Sequence, residues 1–401
     1  MISLSEARQT IQQALHPLPA ETGAWGALYG RVLREEIAAP EDFPAFDRSA
    51  MDGYALHAED TASRFAVRGE IQPGAAATQT LALGECFRVF TGAALPAGCT
   101  EVIPQEAVRR EGDWMVPLER FGGIHVRRRG EDVRAGTVLL KPGTILRAPQ
   151  VSLLAQLGAI APQIAPRPRV IHLVTGNELV PPGTVPGPGE IRDSNSSLVA
   201  GLVEAAGGEI VWQGRVSDRL EAFVETVEGV DIPWDLLLIS GGASVGDYDF
   251  GPRALQALGF DLRFHGVRLR PGKPVGFATR GPQAAFLLPG NPVSHWVVFE
   301  VAVRLALERL LGAVPAWEFV PALLAEDLPG KLDRRETFWP GRLRVGNSGL
   351  EAVPLGWRSS GDLCGVAGAG VLLWLPAESG PWKSGDPVKC LLLKERGLRL
   401  D

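Results

Sequence analysis

An unbroken apolar run that ends in a glycine-rich, acidic loop is the feature that most constrains this chain. Residues 236–239 are Leu-Leu-Leu-Ile, which predicts a strand buried on both faces. The loop that follows contains three glycines, two serines and the carboxylates Asp247 and Asp249. Glycines let backbone N–H groups turn towards an anion, and carboxylates beside an anion require a cation between them. Alone, the loop is better explained as a surface turn with solvated acids, so its interpretation depends on the rest of the chain.

The segment around this loop alternates between strand and helix patterns. Strands are predicted at residues 169–175, from 210 to 212, at 236–239 and at 285–288. Helices are predicted at residues 195–206, 219–228 and 293–311, the last with Pro292 in its first turn. This alternation predicts a doubly wound, mostly parallel α/β core with helices on both faces of the sheet.

The remaining segments show other patterns. Ser3 and Glu6 form a predicted capping box for a helix with apolar residues at positions 7, 11 and 15, and a proline-rich stretch stops that helix. Short strands and turns are predicted at residues 65–145 and again after Pro315. Residues 149–157 predict a helix, and residues 161–168 are interpreted as a proline-rich linker. The α/β core is therefore expected to have β-rich segments on either side of it in the sequence.

Composition excludes several classes of protein. A length of 401 residues predicts about two to four domains, and 45% apolar with 21% charged residues is typical of a folded chain. The net charge of −6 argues against nucleic acid as a partner, and the basic triplet Arg127 to Arg129 is interpreted as a strand edge or a small anion contact. No export signal and no apolar run of ~18 residues are visible, so we expect a cytoplasmic protein with no membrane partner. Dispersed cysteines and isolated histidines predict reduced thiols and no zinc site.

Three loops of the α/β segment follow predicted strands. They comprise residues 175–179, the loop that ends at Asp249, and residues 288–294. Loops after parallel strands share one edge of the sheet, so we expect all three to lie together. The last one opens a helix, whose N–H groups and dipole favour an anion. Residues 268–273 add cations near the same edge.

Carboxylates also gather at this predicted edge. Glu178, Asp218 and Asp249 fall on or beside its loops. Taken singly, each has a structural explanation, and Asp193 and Asp218 are explained well as helix caps. Together, glycines, cations and carboxylates at one sheet edge are what a metal-bridged polyphosphate requires.

Several longer motifs occur in the order known from one protein family. They are Phe46-Asp-Arg-Ser-Ala-Met-Asp-Gly-Tyr-Ala55, Thr91-Gly-Ala-Ala-Leu-Pro96, Arg129-Gly-Glu-Asp132, Ser240 to Asp249, Pro271-Gly-Lys-Pro274 and Leu288 to Ser294. With these motifs the chain resembles the molybdopterin molybdenumtransferases, the bacterial MoeA type related to the E domain of gephyrin. The resemblance runs nearly end to end, and several specific motifs in one order carry more weight than any single one.

The resemblance implies four domains and a homodimer. Residues 1–48 and 146–167 would form an elongated helical domain, and residues 49–145 a small inserted β domain. Residues 168–314 would form the α/β molybdopterin-binding core, and residues 315–401 a C-terminal β barrel. In the homodimer, the active cleft would lie between the core of one subunit and the β domain of the other.

The resemblance also implies the reaction and its residues. Adenylylated molybdopterin and molybdate would be the substrates, Mg²⁺ the cofactor, and AMP a product, with no protein nucleophile. The implied catalytic residues are Asp52, Thr91, Asp132, Glu178, Asp218 and Asp249, of which Glu178, Asp218 and Asp249 would hold the metal. The implied binding residues for pterin phosphate or molybdate are Gly241, Gly242, Ser244, Arg270, Lys273, Pro289, Pro292, Ser294, Arg335 and Ser360.

Two residues depart from the family pattern. Asn177 stands where the family usually has Asp, which leaves Glu178 with one carboxylate neighbour fewer. Arg270 stands where a Lys is common, and a planar guanidinium presents a different geometry to an oxyanion from that of a point charge. The role of Asp247 stays open between a contact behind the metal ligands and a solvated turn residue.

Three alternative functions stay open at this point. The preceding enzyme, molybdopterin adenylyltransferase, uses a similar α/β core but would require ATP and no flanking β domains. A non-enzymatic scaffold of the gephyrin type would need a peptide-binding surface. A related enzyme could handle tungstate, an oxyanion with nearly the size and charge of molybdate. As protein partners, the adenylyltransferase and molybdoenzyme acceptors are expected.

Overall fold

The computed structural model describes residues 1–120, 125–217, 219–242, 250–315, 317–328, 333–346 and 349–393. The chain divides into two compact units. Unit 1 comprises Met1–Glu35, Pro142–Val151 and Ile160–Asp401, and unit 2 comprises Glu36–Lys141 and Ser152–Ala159. The four domain boundaries implied by the family resemblance stay a prediction.

The helices of the described residues carry the labels used below. They are α1 (Leu4–Ala14), α2 (Ala148–Leu157), α3 (Asn195–Ala205), α4 (Leu220–Glu228), α5 (Phe250–Ala257), α6 (Pro292–Val298), α7 (Arg304–Leu311) and α8 (Leu363–Val366), with 3₁₀ turns at Trp25–Ala27 and Gln105–Ala107 and a π turn at Phe299–Val303. No helix in these ranges is both long enough and apolar enough to cross a bilayer.

The strands are numbered in chain order. They are β1 (Glu21–Thr22), β2 (Ile37–Ala38), β3 (Arg48–Ser49), β4 (Gly53–Leu56), β5 (Phe65–Ile71), β6 (Glu85–Val89), β7 (Glu101–Pro104), β8 (Val108–Glu111), β9 (Trp114–Pro117), β10 (Val126–Arg127), β11 (Val138–Leu140), β12 (Gln163–Ile164), β13 (Arg169–Thr175), β14 (Leu179–Val180), β15 (Ile191–Arg192), β16 (Glu209–Val216), β17 (Leu236–Ser240), β18 (Asp261–His265), β19 (Leu269–Arg270), β20 (Gly276–Arg280), β21 (Gln283–Leu288), β22 (Phe319–Leu324), β23 (Glu336–Gly346), β24 (Gly349–Pro354), β25 (Val371–Leu375) and β26 (Pro387–Leu392).

A six-stranded mixed sheet forms the centre of unit 1. Its order is β16-β13-β17-β21-β20-β18, and the first three pairings are parallel whereas the last two are antiparallel. The predicted mostly parallel sheet is therefore confirmed. The strands β18 and β20 were not anticipated, because charged residues interrupt the apolar residues of β18, β20 contains only two apolar side chains, and no helix lies between the two strands.

Helices cover both faces of this sheet, as predicted. Leu236 and Leu238 of β17 pack in a cluster with residues of α1, α3, α6 and α7. Leu237 and Ile239 point to the other face and pack with residues of α4 and α5. All five residues of β17 are buried, which is why its sequence is continuously apolar up to Ser240.

The predicted helix at residues 293–311 is present as one run that contains a π turn. Pro292 lies at the start of α6, the π turn occupies Phe299–Val303, and α7 ends at a left-handed Gly312. The predicted capping box is also confirmed, because Ser3 Oγ accepts from Glu6 N and the Glu6 carboxylate accepts from Ser3 N. The proline-rich stretch at 161–168 contains β12, which pairs with β1.

The C-terminal strands of unit 1 close into a barrel. Neighbouring strands pair in the order β23-β24-β22-β26-β25, and β25 pairs back with β23. Strand β19 pairs in parallel with β23. The predicted C-terminal β barrel is therefore confirmed.

Unit 2 contains the short strands predicted between residues 65 and 145. Its sheet has the order β7-β4-β6-β5-β9-β8. Phe65, Ile71, Cys86 and Met115 are among the side chains of its core. All four cysteines of the chain are free, and Cys364 is exposed whereas the other three are buried.

Candidate functional site

A cleft of about 720 Å³ lies in unit 1 at the carboxyl ends of three parallel strands. Described residues of the loops after β13, β17 and β21 all line it, which confirms that these three loops begin at one edge of the sheet. Residues 270–274 and the barrel residues Arg335 and 357–360 complete the lining. The cleft is therefore the meeting point of the sheet edge and the barrel.

The loop after β17 begins with a turn that only glycine fits. Gly241 has a φ of 92°. A β-carbon on it would lie 2.7 Å from both the carbonyl oxygen and the Oγ1 of Thr175. The Gly241 N–H donates to the Leu288 carbonyl at 3.2 Å, so this N–H already has an acceptor within the fold. The implied role of Gly241 in binding the pterin phosphate or molybdate stays a prediction.

Glu178 lines the cleft from the loop after β13. Both of its carboxylate oxygens would lie 2.9 Å from a β-carbon on Gly176, so the missing side chain at Gly176 leaves room for the carboxylate. In the described part of the chain, Glu178 forms no salt bridge. An exposed carboxylate at the edge of a cationic cleft is available to a hard metal ion.

Two buried polar atoms in the cleft lining have unused hydrogen-bonding capacity. Thr175 Oγ1 and Asn195 Oδ1 have no hydrogen-bond partner among the described residues. The amide nitrogen of Asn195 donates to the Gly290 carbonyl at 2.8 Å, which fixes the side chain beside the loop after β21. Buried polar atoms of this kind are normally satisfied, so their position here is consistent with a polar ligand.

The loop before α6 is tied to the barrel. Asn291 Nδ2 donates to Ser360 Oγ at 2.7 Å, and the Val293 N–H donates to the Ser360 carbonyl at 3.0 Å. Pro289, Ser294 and Ser360 line the cleft, whereas Pro292 begins α6 and is outside the lining. Since Ser360 Oγ accepts from Asn291, its hydroxyl hydrogen stays available to an oxyanion.

Cations gather on the barrel side of the cleft. Asp333 binds Arg335 through two N–H contacts of 3.0 and 2.9 Å, and Arg270 approaches the same carboxylate at 3.3 Å. The Arg335 contacts hold the pKa of Asp333 below its usual value, so this carboxylate stays charged and anchors both guanidinium groups. Lys273 and Arg358 also line the cleft and form no salt bridge with any described residue. This concentration of charge favours an oxyanion ligand.

A short polar chain lies under the cleft in an otherwise apolar core. His172 Nε2 lies 2.6 Å from Ser240 Oγ, and His295 Nδ1 lies 3.2 Å from the Pro289 carbonyl. Burial lowers the pKa of His172 to about 3 and that of His295 to about 4. Both imidazoles are therefore neutral at physiological pH.

Unit 2 brings Asp52 and Thr91 together. Asp52 Oδ1 accepts from both the N–H and the Oγ1 of Thr91, each at 2.8 Å. Both hydrogen bonds lower the pKa of Asp52, and the one from the Thr91 N–H has the larger effect. Two residues that lie far apart in the sequence thus form one hydrogen-bonded pair.

Asp132 has different neighbours in unit 2. It forms a salt bridge with Arg127, which begins the basic triplet. Arg128 pairs with Asp47 at 2.7 Å, and Arg129 pairs with Asp42 at 2.8 Å. Arg127 ends the strand β10, and the charges of the triplet meet carboxylates of the same unit.

Comparisons with known proteins agree with this architecture. The MoeA N-terminal region (domains I and II) matches residues 2–158, a probable molybdopterin-binding domain matches residues 171–309, and the MoeA C-terminal region (domain IV) matches residues 321–393. A molybdopterin molybdenumtransferase from Bacillus subtilis is 33% identical over 91% of this chain and 88% of its own length. One from a Nostoc species is 36% identical over 92% of this chain and 87% of its own length.

The chain belongs to the molybdopterin molybdenumtransferase family. The resemblance seen in the sequence motifs is thereby confirmed, and the protein is a transferase of molybdenum cofactor biosynthesis. A crystal structure of a molybdopterin biosynthesis MoeA protein from Pyrococcus horikoshii superimposes with a TM-score of 0.83 at 31% identity. The superposition covers 98% of this chain and 100% of that chain. A second structure of a MoeA protein from the same organism has a TM-score of 0.84 at 29% identity and covers 99% of this chain and 100% of its own.

Most of the binding residues implied by the family line one cleft. These are Gly241, Gly242, Arg270, Lys273, Pro289, Ser294, Arg335 and Ser360, and the implied catalytic and metal-holding Glu178 lines it too. Asp218, Ser244, Asp247 and Asp249 lie outside the described residues. Sequence reasoning did not single out Thr175, Asn195, Asp333, Arg358 or the hydroxyl of Ser240 as site groups. Asp333 could not be recognised from a sequence motif, because its role depends on two arginines that approach it from separate segments.

Proposed function

We propose that this family member transfers molybdenum from molybdate to adenylylated molybdopterin, with Mg²⁺-dependent release of AMP. The observation that supports this most is the cleft at the strand ends. It combines four cationic side chains, an exposed carboxylate and hydroxyl groups around a glycine turn. A pyrophosphate and a tetrahedral oxyanion need this combination of charge and donors.

The cationic residues attract and hold the anionic substrates. Lys273 contributes a mobile point charge, whereas Arg270 and Arg335 present planar guanidinium groups that the Asp333 carboxylate keeps in place. The hydroxyl of Ser360 adds a neutral donor beside them. These groups bind molybdate and phosphoryl oxygens and bring them together, and proximity of the two reactants supplies much of the rate acceleration.

The donor set of the cleft fits Mg²⁺. Glu178 offers hard carboxylate oxygens that form no salt bridge in the described part of the chain, and Thr175, which lines the same cleft, has a hydroxyl without a partner among the described residues. Since Mg²⁺ retains several waters, it needs few protein carboxylates, and we propose Glu178, Asp218 and Asp249 as its ligands. When bound, Mg²⁺ would neutralise the pyrophosphate link and polarise the attacking oxygen.

Residues of unit 2 contribute to the same reaction in this proposal. The Asp52–Thr91 pair and Asp132 are the acidic and hydroxyl groups of the family motifs in that unit. We propose that the protein acts as a cytoplasmic homodimer. It would receive its substrate from a molybdopterin adenylyltransferase and pass the product to molybdoenzymes. Light scattering of the purified protein tests the dimer directly.

The decisive assay is release of AMP from adenylylated molybdopterin by purified protein with Mg²⁺ and molybdate. Asp249→Ala is expected to lower the Mg²⁺-dependent rate roughly 100-fold, since metal sites lose activity on this scale when one group is removed. Asp231→Ala is the matched control, because Asp231 is exposed and lies before β17 at the opposite end of that strand. Full Mg²⁺-dependent release by Asp249→Ala would contradict the proposal.

Two further arms of this assay separate the alternatives. Replacing molybdate with tungstate measures the preference between the two oxyanions. Incubating molybdopterin with ATP tests for adenylylation, which is the reaction of the preceding enzyme. Adenylylation without metal transfer would replace the proposed function with that of an adenylyltransferase.

A further inference from the structure

A continuous row of hydrogen-bonding side chains runs across the face of the α/β sheet beneath the cleft. Gln213 Nε2 on β16 lies 2.8 Å from His172 Nδ1 on β13, and His172 Nε2 lies 2.6 Å from Ser240 Oγ on β17. Ser240 Oγ is 3.5 Å from His295 Nδ1 on α6. His172, Ser240 and His295 are almost completely buried, so each proton in this row has to be directed at a specific acceptor.

The orientation of Gln213 determines which nitrogen of His172 is protonated. Gln213 Nε2 also lies 3.1 Å from the Ser196 carbonyl, which can only accept a hydrogen bond. The group that faces both Ser196 and His172 is therefore the amide NH₂, and His172 Nδ1 is an acceptor. Since the ring is neutral, Nε2 carries the hydrogen and donates it to Ser240 Oγ.

The same reasoning applies to His295. Its Nδ1 lies 3.2 Å from the Pro289 carbonyl, which again can only accept, so Nδ1 carries the hydrogen of this neutral ring. His295 therefore cannot accept a hydrogen bond from Ser240 through Nδ1. Ser240 Oγ accepts from His172, and its own hydrogen has no acceptor among the described residues.

Ser240 lines the cleft at the point where the loop after β17 begins. The next N–H group, that of Gly241, is already bound to the Leu288 carbonyl. The Ser240 hydroxyl is therefore the first donor of this loop that a ligand can use. A hydroxyl donating to a charged oxygen forms a short and strong hydrogen bond.

We propose that Ser240 is a further oxyanion-binding residue of the cleft and that His172 is the positioning residue that turns the Ser240 hydrogen towards the ligand. This inference rests on the proposed function, because it identifies an additional donor for the phosphoryl or molybdate oxygens of that reaction. His172 acts by filling the acceptor side of the hydroxyl, and it does not touch the ligand.

Binding measurements with three probes identify the oxyanion. Molybdate alone, AMP alone and adenylylated molybdopterin are titrated into wild type, Ser240→Ala and the exposed control Ser197→Ala by calorimetry. Ser240→Ala is expected to weaken at least one probe about 10- to 100-fold, and Ser197→Ala none. If Ser240→Ala weakens the binding of molybdate but not of AMP, the Ser240 hydroxyl donates to the metal oxyanion. If it weakens the binding of AMP, the hydroxyl donates to phosphate. Unchanged binding of all three probes overturns the proposal.

Substitutions of His172 separate positioning from packing. His172→Leu fills a similar volume without a donor and is expected to weaken binding as Ser240→Ala does, whereas the amide of His172→Gln can donate again and restores most of the affinity. In the double variant Ser240→Ala/His172→Leu both partners of this hydrogen bond are removed, so neither side chain is left buried without its partner. The double variant is therefore the control in case a single variant does not fold. Its loss of affinity should equal that of one substitution, because both remove the same hydrogen bond to the ligand. Additive losses would overturn the assignment of His172.

Nitrogen NMR of His172 provides a readout that packing alone would not produce. The ring is expected as the Nε2–H tautomer, and its Nε2–H resonance is expected to shift when the effective probe is added. A protonated Nδ1 would refute the argument. If wild-type protein does not release AMP, the proposed function fails, while the binding and tautomer results still decide the role of Ser240. If the wild-type protein releases AMP but Ser240→Ala binds all three probes as wild type does, the proposed function stands and the role of Ser240 is overturned.

Discussion

Gly241→Ala is expected to destabilise the α/β core of unit 1 much more than Gly242→Ala. Both glycines have left-handed backbone, with φ values of 92° and 64°. A β-carbon on Gly241 would approach the Thr175 backbone carbonyl to 2.7 Å, and backbone cannot move aside. A β-carbon on Gly242 would first meet the ring edge of Phe250 at 3.2 Å, and a side chain can shift by a few tenths of an ångström.

The magnitude follows from three contributions. A left-handed conformation of an alanine costs about 1.5 kcal/mol. The stiffer unfolded chain offsets about 0.7 kcal/mol of this. Overpacking against immovable atoms adds about 2 kcal/mol, which applies to Gly241 only. Gly241→Ala should therefore lower the free energy of unfolding by about 3 kcal/mol, and Gly242→Ala by about 1 kcal/mol.

Hydrogen exchange of the β17 amides measures this difference. The strand lies at the centre of the sheet, so its amides exchange when the core opens. The same amides therefore report the opening free energy of the core in both variants. The exchange-derived opening free energies are compared at one pH and temperature. If Gly241→Ala and Gly242→Ala agree within about 0.5 kcal/mol, the close contact with Thr175 does not govern the choice of glycine.

Three other substitutions probe separate parts of the structure. Burial holds the pKa of His172 at about 3 against 6.5 in the unfolded chain, so its contribution is complete above pH 6.5 and declines as the pH falls towards 3. Between pH 7.5 and pH 5, wild type should lose about 2 kcal/mol more than His172→Gln in urea titrations, and equal losses would contradict the burial argument. Arg335→Lys replaces a planar group with a point charge and should weaken molybdate binding about tenfold in calorimetry, whereas the exposed Arg344→Lys should bind as wild type does; equal affinities would contradict the role of the guanidinium. Thr91→Val removes the hydroxyl donor to Asp52 and should reduce AMP release with little change in the unfolding midpoint, since the pair is exposed; unchanged release would exclude Thr91 from the reaction.

The sequence predicted the elements of the α/β core well because each one carries a strong local signal. The apolar run before Ser240 requires burial on both faces, and helix α3 ends where two glycines follow it. The antiparallel strands β18 and β20 escaped prediction, since the apolar residues of β18 alternate with charges and β20 is a short Gly-Phe-Ala-Thr-Arg segment without a long apolar run. Their place in the sheet depends on pairing with β21, which local pattern does not encode.

The chemical character of the cleft was also predictable, whereas the state of its individual groups was not. Loops after parallel strands must share one edge, so the sequence alone determined that the glycines and Glu178 come together, and it placed the cations of residues 268–273 near them. Only the tertiary structure decided that Asp333 anchors two arginines, that the Gly241 N–H is already bound, and that the Ser240 hydrogen is left for a ligand. Chain order determines which strand precedes which loop, but a hydrogen bond between distant segments depends on ångström distances that arise only when those segments pack.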